Sequence, residues 1–314
     1  MNTLHSDFPA RFSRAASLLP PDLRHPSVLA LIQLALAEDL SPHADFTGLG
    51  NEPSVGDITS LSTLPPDSHL EGRITAKAAG VVAGLPVAGA AFAFLDATIE
   101  FLPQVVDGQP VTQGQLLAEV SGPGRSLLAA ERTALNFLGR MSGIATLTRQ
   151  FVDAIAGTNT KILDTRKTAP ASRRLDKYAV RMGGGHNHRY SLSDSVMAKD
   201  NHLAVIDDIT AALKHAKADL PHTTHIEVEV DRLDQIDAVL SSGAVNTIML
   251  DNFSLDDLRT GVAQIGGQAL VEASGGITLE TIKSVAETGV DIISVGALTH
   301  SVRALDLGLD ITVR

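Results

Sequence analysis

IEVEV (226–230), TIMLD (247–251), LVEAS (270–274) and IISVG (292–296) recur at intervals of roughly 22 residues through the last third of the chain. Each is a short apolar run with a polar residue or glycine at or beside its end: Glu229, Asp251, Ser274 and Gly296. KILDT (161–165) and SVMAK (195–199) upstream have the same form. Helical spacing fills the gaps, as in Leu233, Ile236, Val239 and Leu240 before Gly243. Strands separated by helices at this interval are βα units of a parallel sheet. A doubly wound sheet would carry its glycines at the first strand–helix turn. This chain has them late, at Ser274-Gly275-Gly276 and Gly296, and a phosphate site after the last strands is a barrel habit. Six runs are fewer than the eight of a full barrel, so the reading is a TIM-like α/β barrel that is either incomplete or has strands the pattern does not show.

The first part of the chain has a different rhythm. Pro20-Pro21, Pro65-Pro66, Asp107-Gly108 and Gly122-Pro123-Gly124 punctuate residues 1–125. Between them lie strand-like runs at Ile74–Ala78, Thr98–Phe101 and Leu116–Val120, followed by a helix from about Arg125 to Leu138. The expected organisation is an N-terminal α/β domain over 1–142, partly antiparallel, and a C-terminal barrel domain over 143–314. Ala78–Leu95 is uncharged for 18 residues, near the lower limit of a spanning helix. Its three glycines and Pro86 read instead as a turn and a buried helix. The first twenty residues lack the apolar core of a secretory signal.

With 314 residues, 44% of them hydrophobic and 19% charged, the chain has material for about two packed domains. The net charge of −11 argues against general nucleic-acid binding, and the absence of Trp against base-stacking platforms. Zero Cys excludes disulfides, thiolate metal sites and Cys nucleophiles, and fits a cytoplasmic location.

A barrel directs the polar residues at strand ends to one mouth. Here that set is Asp164, Thr165, Arg166, Lys167, Lys199, Glu229, Asp251 and Ser274. Residues 161–200 add a concentration of cations: Lys161, Arg166, Lys167, Arg173, Arg174, Lys177, Arg181, Arg189 and Lys199. Gathering them in an acidic protein costs self-repulsion that a multiply charged anion would offset, unless they are paired on a helix surface. GGGHNHR (183–189) offers a His-x-His pair, with His202 or Asp200 as further ligands. Three glycines precede the pair where a rigid strand would hold ligands, so a single ligand-contacting His, or a hydrogen-bonded loop His, fits better. Glu229 and Asp251 could hold Mg²⁺ through waters and substrate phosphates, or accept from sugar hydroxyls. Glu227 shares the parity of Glu229, and either could be the functional carboxylate. Ser274-Gly275-Gly276, read as a helix start, and Gly296-Ala297 with His300 form a candidate monophosphate nest.

ALAEDL (35–40), GDITS (56–60), ERTALNFLGRMSGIAT (131–146), DTRKTAP (164–170), KYAVRMGGGHNHR (177–189), KDNH (199–202), EVEVD (227–231), MLDNF (249–253), EASGGI (272–277) and SVGALTHS (294–301) together resemble the quinolinate phosphoribosyltransferase family. The resemblance implies an open α/β sandwich and an incomplete barrel, paired as a homodimer, with higher assembly left open. It implies a pentosyltransferase of NAD biosynthesis that joins quinolinate to 5-phosphoribosyl-1-pyrophosphate with Mg²⁺, releasing pyrophosphate and CO₂. By its motifs Arg132 is a quinolinate ligand donated across the dimer, where the residues alone give a helix-surface Arg. Thr165, Arg166, Lys167, His188, Arg189 and Lys199 match the substrate lining, with Lys167, Lys199, Glu229 and Asp251 catalytic. Glu229 and Asp251 match the metal-side carboxylates. Ser274, Gly275, Gly276, Val295, Gly296 and Ala297 match the phosphate loops, beside His300. Two departures stand out: an inserted loop between Asp39 and Gly56, and Ala198 where a bulkier aliphatic is common. Alternatives left open are a sister phosphoribosyltransferase, a His-x-His metallohydrolase and a non-catalytic phospho-ligand binder.

Overall fold

In the computed structural model of the chain, residues 8–40, 56–203 and 205–312 are described, so the inserted segment 41–55 lies outside them. They divide into two units that interleave along the sequence. Ala169–Gly183 and the segment from Val302 cluster with the chain up to Leu147, while Thr148–Thr168 and Gly184–Ser301 form the second unit.

The first unit opens with α1 (Phe8–Leu18), α2 (Pro26–Leu40) and α3 (Ile58–Thr63). Asp57 starts α3 as an N-cap, accepting from the Thr59 and Ser60 amides at 3.0 and 3.2 Å and satisfying donors that have no partner within the helix. Then follow β1 (His69–Ala76), β2 (Gly80–Val81), α4 (Leu85–Leu95), β3 (Glu100–Pro103), β4 (Pro110–Val111), β5 (Leu116–Pro123) and α5 (Gly124–Ala154). The uncharged stretch thus resolves into a short strand, a turn and α4, whose residues from Leu85 to Phe94 are buried except Pro86. No helix is long and apolar enough to cross a membrane among the described residues. Asp107 secures the start of α4: it accepts from the Gly84 and Leu85 amides at 2.9 and 3.1 Å and from the Tyr178 hydroxyl at 2.9 Å. α5 extends well past the expected Leu138, because its apolar stripe continues through Met141, Ile144 and Phe151, all buried.

β6 (Lys161–Leu163) is the first strand of the second unit, which starts at Thr148 within α5, and α6 (Arg173–Met182) belongs to the first. The second unit continues as β7 (Val196–Ala198), α7 (Asp200–Leu203), α8 (Ile209–Asp219), β8 (Ile226–Val230), α9 (Ile236–Leu240), β9 (Thr247–Asp251), α10 (Leu255–Ile265), β10 (Leu270–Ser274), α11 (Ile282–Ala286), β11 (Ile292–Ser294) and α12 (Ala297–His300). Its six strands are all parallel, in the order β6-β11-β10-β9-β8-β7. That order is a ring cut once, between β6 and β7. At the cut, His186 makes a lone parallel bridge to Leu163: its amide donates to Ile162 O at 2.8 Å and its carbonyl accepts from Asp164 N at 3.1 Å. This is an incomplete α/β barrel, and the Gly183–Gly185 turn brings the chain back to its open seam. Finally β12 (Leu307–Thr312) pairs antiparallel with β1, giving the first unit a sheet ordered β12-β1-β5-β3.

Candidate active site

Thr165, Arg166, Lys167, His188, Arg189, Lys199, Glu229, Asp251 and Ser274 come together around a cavity of about 380 Å³ within the second unit. Met197, Met249 and Ser294 complete its wall and were missed from sequence. The signal was strand parity: Met249 stands two residues before Asp251, on the same face.

The loop after β6 is folded by local bonds. Thr165 Oγ1 accepts the Lys167 amide at 3.0 Å, and Thr299 Oγ1 donates to Lys167 O at 2.8 Å. Asp164 does not face the mouth as expected; it is fully buried. Its carboxylate accepts from Asn187 Nδ2 at 2.5 Å and from the His188 amide at 2.8 Å, so it clamps the 187–189 loop to β6. Arg189 is steadied by donating to Ser195 O at 2.9 Å. Burial, and then the positive charge of Arg166, hold the Arg189 guanidinium below its ordinary range, against the pull of Glu227 and Asp194. Two guanidiniums that repel each other in one wall are an arrangement that a bound anion would relieve.

Across the cavity, Lys199 Nζ donates to Glu229 Oε2 at 2.5 Å, and Asn252 Nδ2 to Asp251 Oδ2 at 2.6 Å. Asn252 adopts a left-handed φ of 58°, and its amide donates to Ser274 O at 2.9 Å. Strain of this kind persists where surrounding structure overdetermines it. Gly275, at φ 95°, packs against the Asn252 amide so closely that any side chain there would overlap it. At Gly296 an added Cβ would lie 3.1 Å from both Lys167 Cδ and His300 Cδ2, so the absent side chain lets Lys167 cross this loop.

Several expectations change. The nest at 274–276 is not a helix start: α11 begins at Ile282, and the intervening residues form turns. Gly275, Gly276, Val295, Gly296, Ala297 and His300 do not line the cavity. The Val295 amide is engaged with Leu163 O at 2.9 Å. Arg173, Arg174, Lys177 and Arg181, four of the nine cations, lie on α6 in the first unit, where Arg181 pairs with Asp22 at 2.8 Å. Arg132 is on α5 in the first unit, in a separate pocket of about 490 Å³ with Arg303 and Asp306. His186 is exposed and outside the cluster of close potential metal ligands found among the described residues, which comprises His188, Glu227 and Glu272. Glu229 reaches the cavity, while Glu227 is buried beneath it, 3.1 Å from His188 Nε2. Glu272, which sequence reading passed over, shares that buried position.

Two family profiles match the chain in tandem: the N-terminal domain of quinolinate phosphoribosyl transferase over residues 57–142 and its C-terminal domain over residues 144–310. The chain is 45% identical over 263 residues to a nicotinate-nucleotide pyrophosphorylase [carboxylating] of Mycobacterium leprae, covering 81% of this chain and 91% of the relative. It is 42% identical over 258 residues to a probable enzyme of the same name from Bacillus subtilis, covering 82% and 89%. The crystal structure of NadC from Streptococcus pyogenes superposes with a TM-score of 0.83 at 38% identity, covering 90% of this chain and 95% of that one.

Proposed function

The chain belongs to the quinolinate phosphoribosyl transferase family, and from that premise we propose how its second unit performs the reaction. The enzyme transfers the phosphoribosyl group of 5-phosphoribosyl-1-pyrophosphate to quinolinate, giving nicotinate mononucleotide, pyrophosphate and CO₂ in nicotinate-nucleotide biosynthesis. The observation that carries the assignment of the site is one cavity with Arg166, Lys167, Arg189 and Lys199 on its wall beside Glu229 and Asp251.

Arg166 and Arg189 bind the two acceptor carboxylates as forks, with Lys167 nearby. His188, Met197 and Met249 supply the wall against which the flat pyridine ring lies. The 5-phosphate sits beside the cavity, past its lining residue Ser274, on the turn through Gly276 and the loop Gly296–Ala297 beside His300; an added Cβ at Gly276 would meet nothing within 4 Å, which leaves its backbone open to an anion. Glu229 and Asp251 face the ribose, where their charge stabilises the cationic character that builds at C1 as pyrophosphate departs. Binding of substrate releases Lys199 from Glu229, so one contact supplies both a cation and a carboxylate. The pyridine nitrogen attacks C1 as the C1–pyrophosphate bond breaks; the pyridinium so formed stabilises the electron pair left on C2 when the adjacent carboxylate departs as CO₂, and C2 then takes a proton from solvent to give nicotinate mononucleotide.

The donor chemistry at Glu229 and Asp251 suits Mg²⁺, a hard ion that takes one or two carboxylates together with waters and substrate phosphates. When bound, Mg²⁺ neutralises the pyrophosphate leaving group. A homodimer in which Arg132 of each copy reaches the acceptor site of the other completes the proposal. The test is incubation with both substrates and Mg²⁺, following nicotinate mononucleotide and CO₂ together. Equal release of both supports the reading; no product from quinolinate, with product formed in a parallel incubation that supplies nicotinate in its place, overturns it.

A further inference from the structure

Barrels of this kind fill their interior with branched apolar side chains, but below this cavity the interior holds acids. Glu227 on β8 and Glu272 on β10 stand two residues before Glu229 and Ser274, on the same strand faces, and are 2% and 1% exposed. The Oε1 atom of each makes no hydrogen bond among the described residues. Buried carboxylate oxygens without partners are costly and call for a reason. The group they surround is His188, whose Nε2 lies 3.1 Å from Glu227 Oε2 and 3.8 Å from Glu272 Oε1.

The contact at the other ring nitrogen agrees with a proton held on Nε2 by Glu227. His188 Nδ1 accepts the Arg189 amide at 2.6 Å, so it presents a lone pair there and the ring proton resides on Nε2, aimed at Glu227. A metal ion among these three side chains would need the Nε2 lone pair, which this tautomer does not offer. Both ring nitrogens of His188 are turned to protein partners, and the residue lines the cavity. Met197 and Met249 line the same cavity with soft apolar surface. Together they make a slot for a flat heteroaromatic ring, with cations for its acidic substituents.

We propose that Glu227 and Glu272 are positioning residues for the acceptor ring: they hold the His188 imidazole in its Nε2–H tautomer, so that it serves as an apolar wall of the pocket and not as a carboxylate donor. This deepens the reading of the cavity as the quinolinate site and rests on it. Burial, and then the charge of Glu227, push the Glu272 carboxyl up to about 7, which lets the two acids lie together without two full charges.

The test has two readouts on the full-length enzyme. Long-range ¹H–¹⁵N spectra of ¹⁵N-histidine protein, with His188 assigned from His188→Asn, are expected to show the Nε2–H tautomer at neutral pH without substrate. A doubly protonated or Nδ1–H ring in the wild type overturns the proposal. In Glu227→Gln the His188 signals are expected to leave that tautomer. KM for quinolinate should rise about tenfold or more while KM for 5-phosphoribosyl-1-pyrophosphate stays within about twofold. Glu272→Gln should shift KM in the same direction. An unchanged quinolinate KM in both variants also overturns it. The tautomer needs no turnover, so a wild type that fails to convert quinolinate sinks the functional reading through a separate observation.

Discussion

Arg166 and Arg189 show how a single side chain is read differently before and after folding. In sequence they are two members of a cationic run, and in space they face one cavity while other members of the run serve α6. Removing one buried basic contact should remove about 2–4 kcal/mol of transition-state stabilisation. Arg166→Ala is therefore expected to lower kcat/KM for quinolinate by about 30-fold or more, measured at saturating 5-phosphoribosyl-1-pyrophosphate. An unaltered value would take Arg166 out of the site. Glu272 makes a prediction about stability. Its folded value of about 7 lies above the ordinary 4.5, chiefly through burial, so the native state binds the extra proton. The resulting penalty is absent at low pH, grows between about pH 4.5 and 7, and is complete above that window. Glu272→Gln should gain on the wild type between pH 5 and pH 8, by up to about 3 kcal/mol in urea unfolding. A constant difference between variant and wild type across that range would show that Glu272 titrates normally. Parity puts Glu227 and Glu229 on one face, and only nearness to the strand end favoured Glu229 in the sequence; in the fold Glu229 lines the cavity and Glu227 is buried.

At the scale of elements, apolar runs bounded by turn residues located all six barrel strands, because a strand buried on both faces needs continuous apolar residues to fill both layers. Helices read less well. The run after Gly276 looks helical from its spacing, yet only Ile282–Ala286 forms a helix, since the chain first turns through Gly275 and Gly276 at left-handed φ. β12 gave no signal of its own; its alternation has meaning only beside β1, more than two hundred residues earlier. α4 depends on a partner just as distant in kind. Its buried N-terminus is satisfied by Asp107, and the hydroxyl of Tyr178 on α6 satisfies that carboxylate in turn. Asp107→Ala strands two buried amides and the Tyr178 hydroxyl and should cost about 2–3 kcal/mol, read as a lowered urea midpoint with unchanged m-value. A loss below about 0.5 kcal/mol would mean that the cap is dispensable.

At the scale of the whole molecule, the proposed dimer places Arg132 and Arg166 of one active site on different chains. Mixing inactive Arg132→Ala with inactive Arg166→Ala under conditions that exchange subunits should then restore about a quarter of wild-type activity, because half of the dimers carry one intact site. No recovery, with exchange verified by mass, would place both arginines in one chain's site. The amino-acid sequence by itself determined the βα rhythm, the late glycines, the cationic loop after β6 and the family, because periodicity and motif spacing are local properties of a chain. Only the tertiary structure decided that Asp164 turns inward to clamp the His188 loop, that Ala169–Gly183 joins the first unit, and that two acids lie beneath the cavity around one imidazole. Each of these depends on which distant residues share a buried volume, and burial, unlike periodicity, is not written in any one segment.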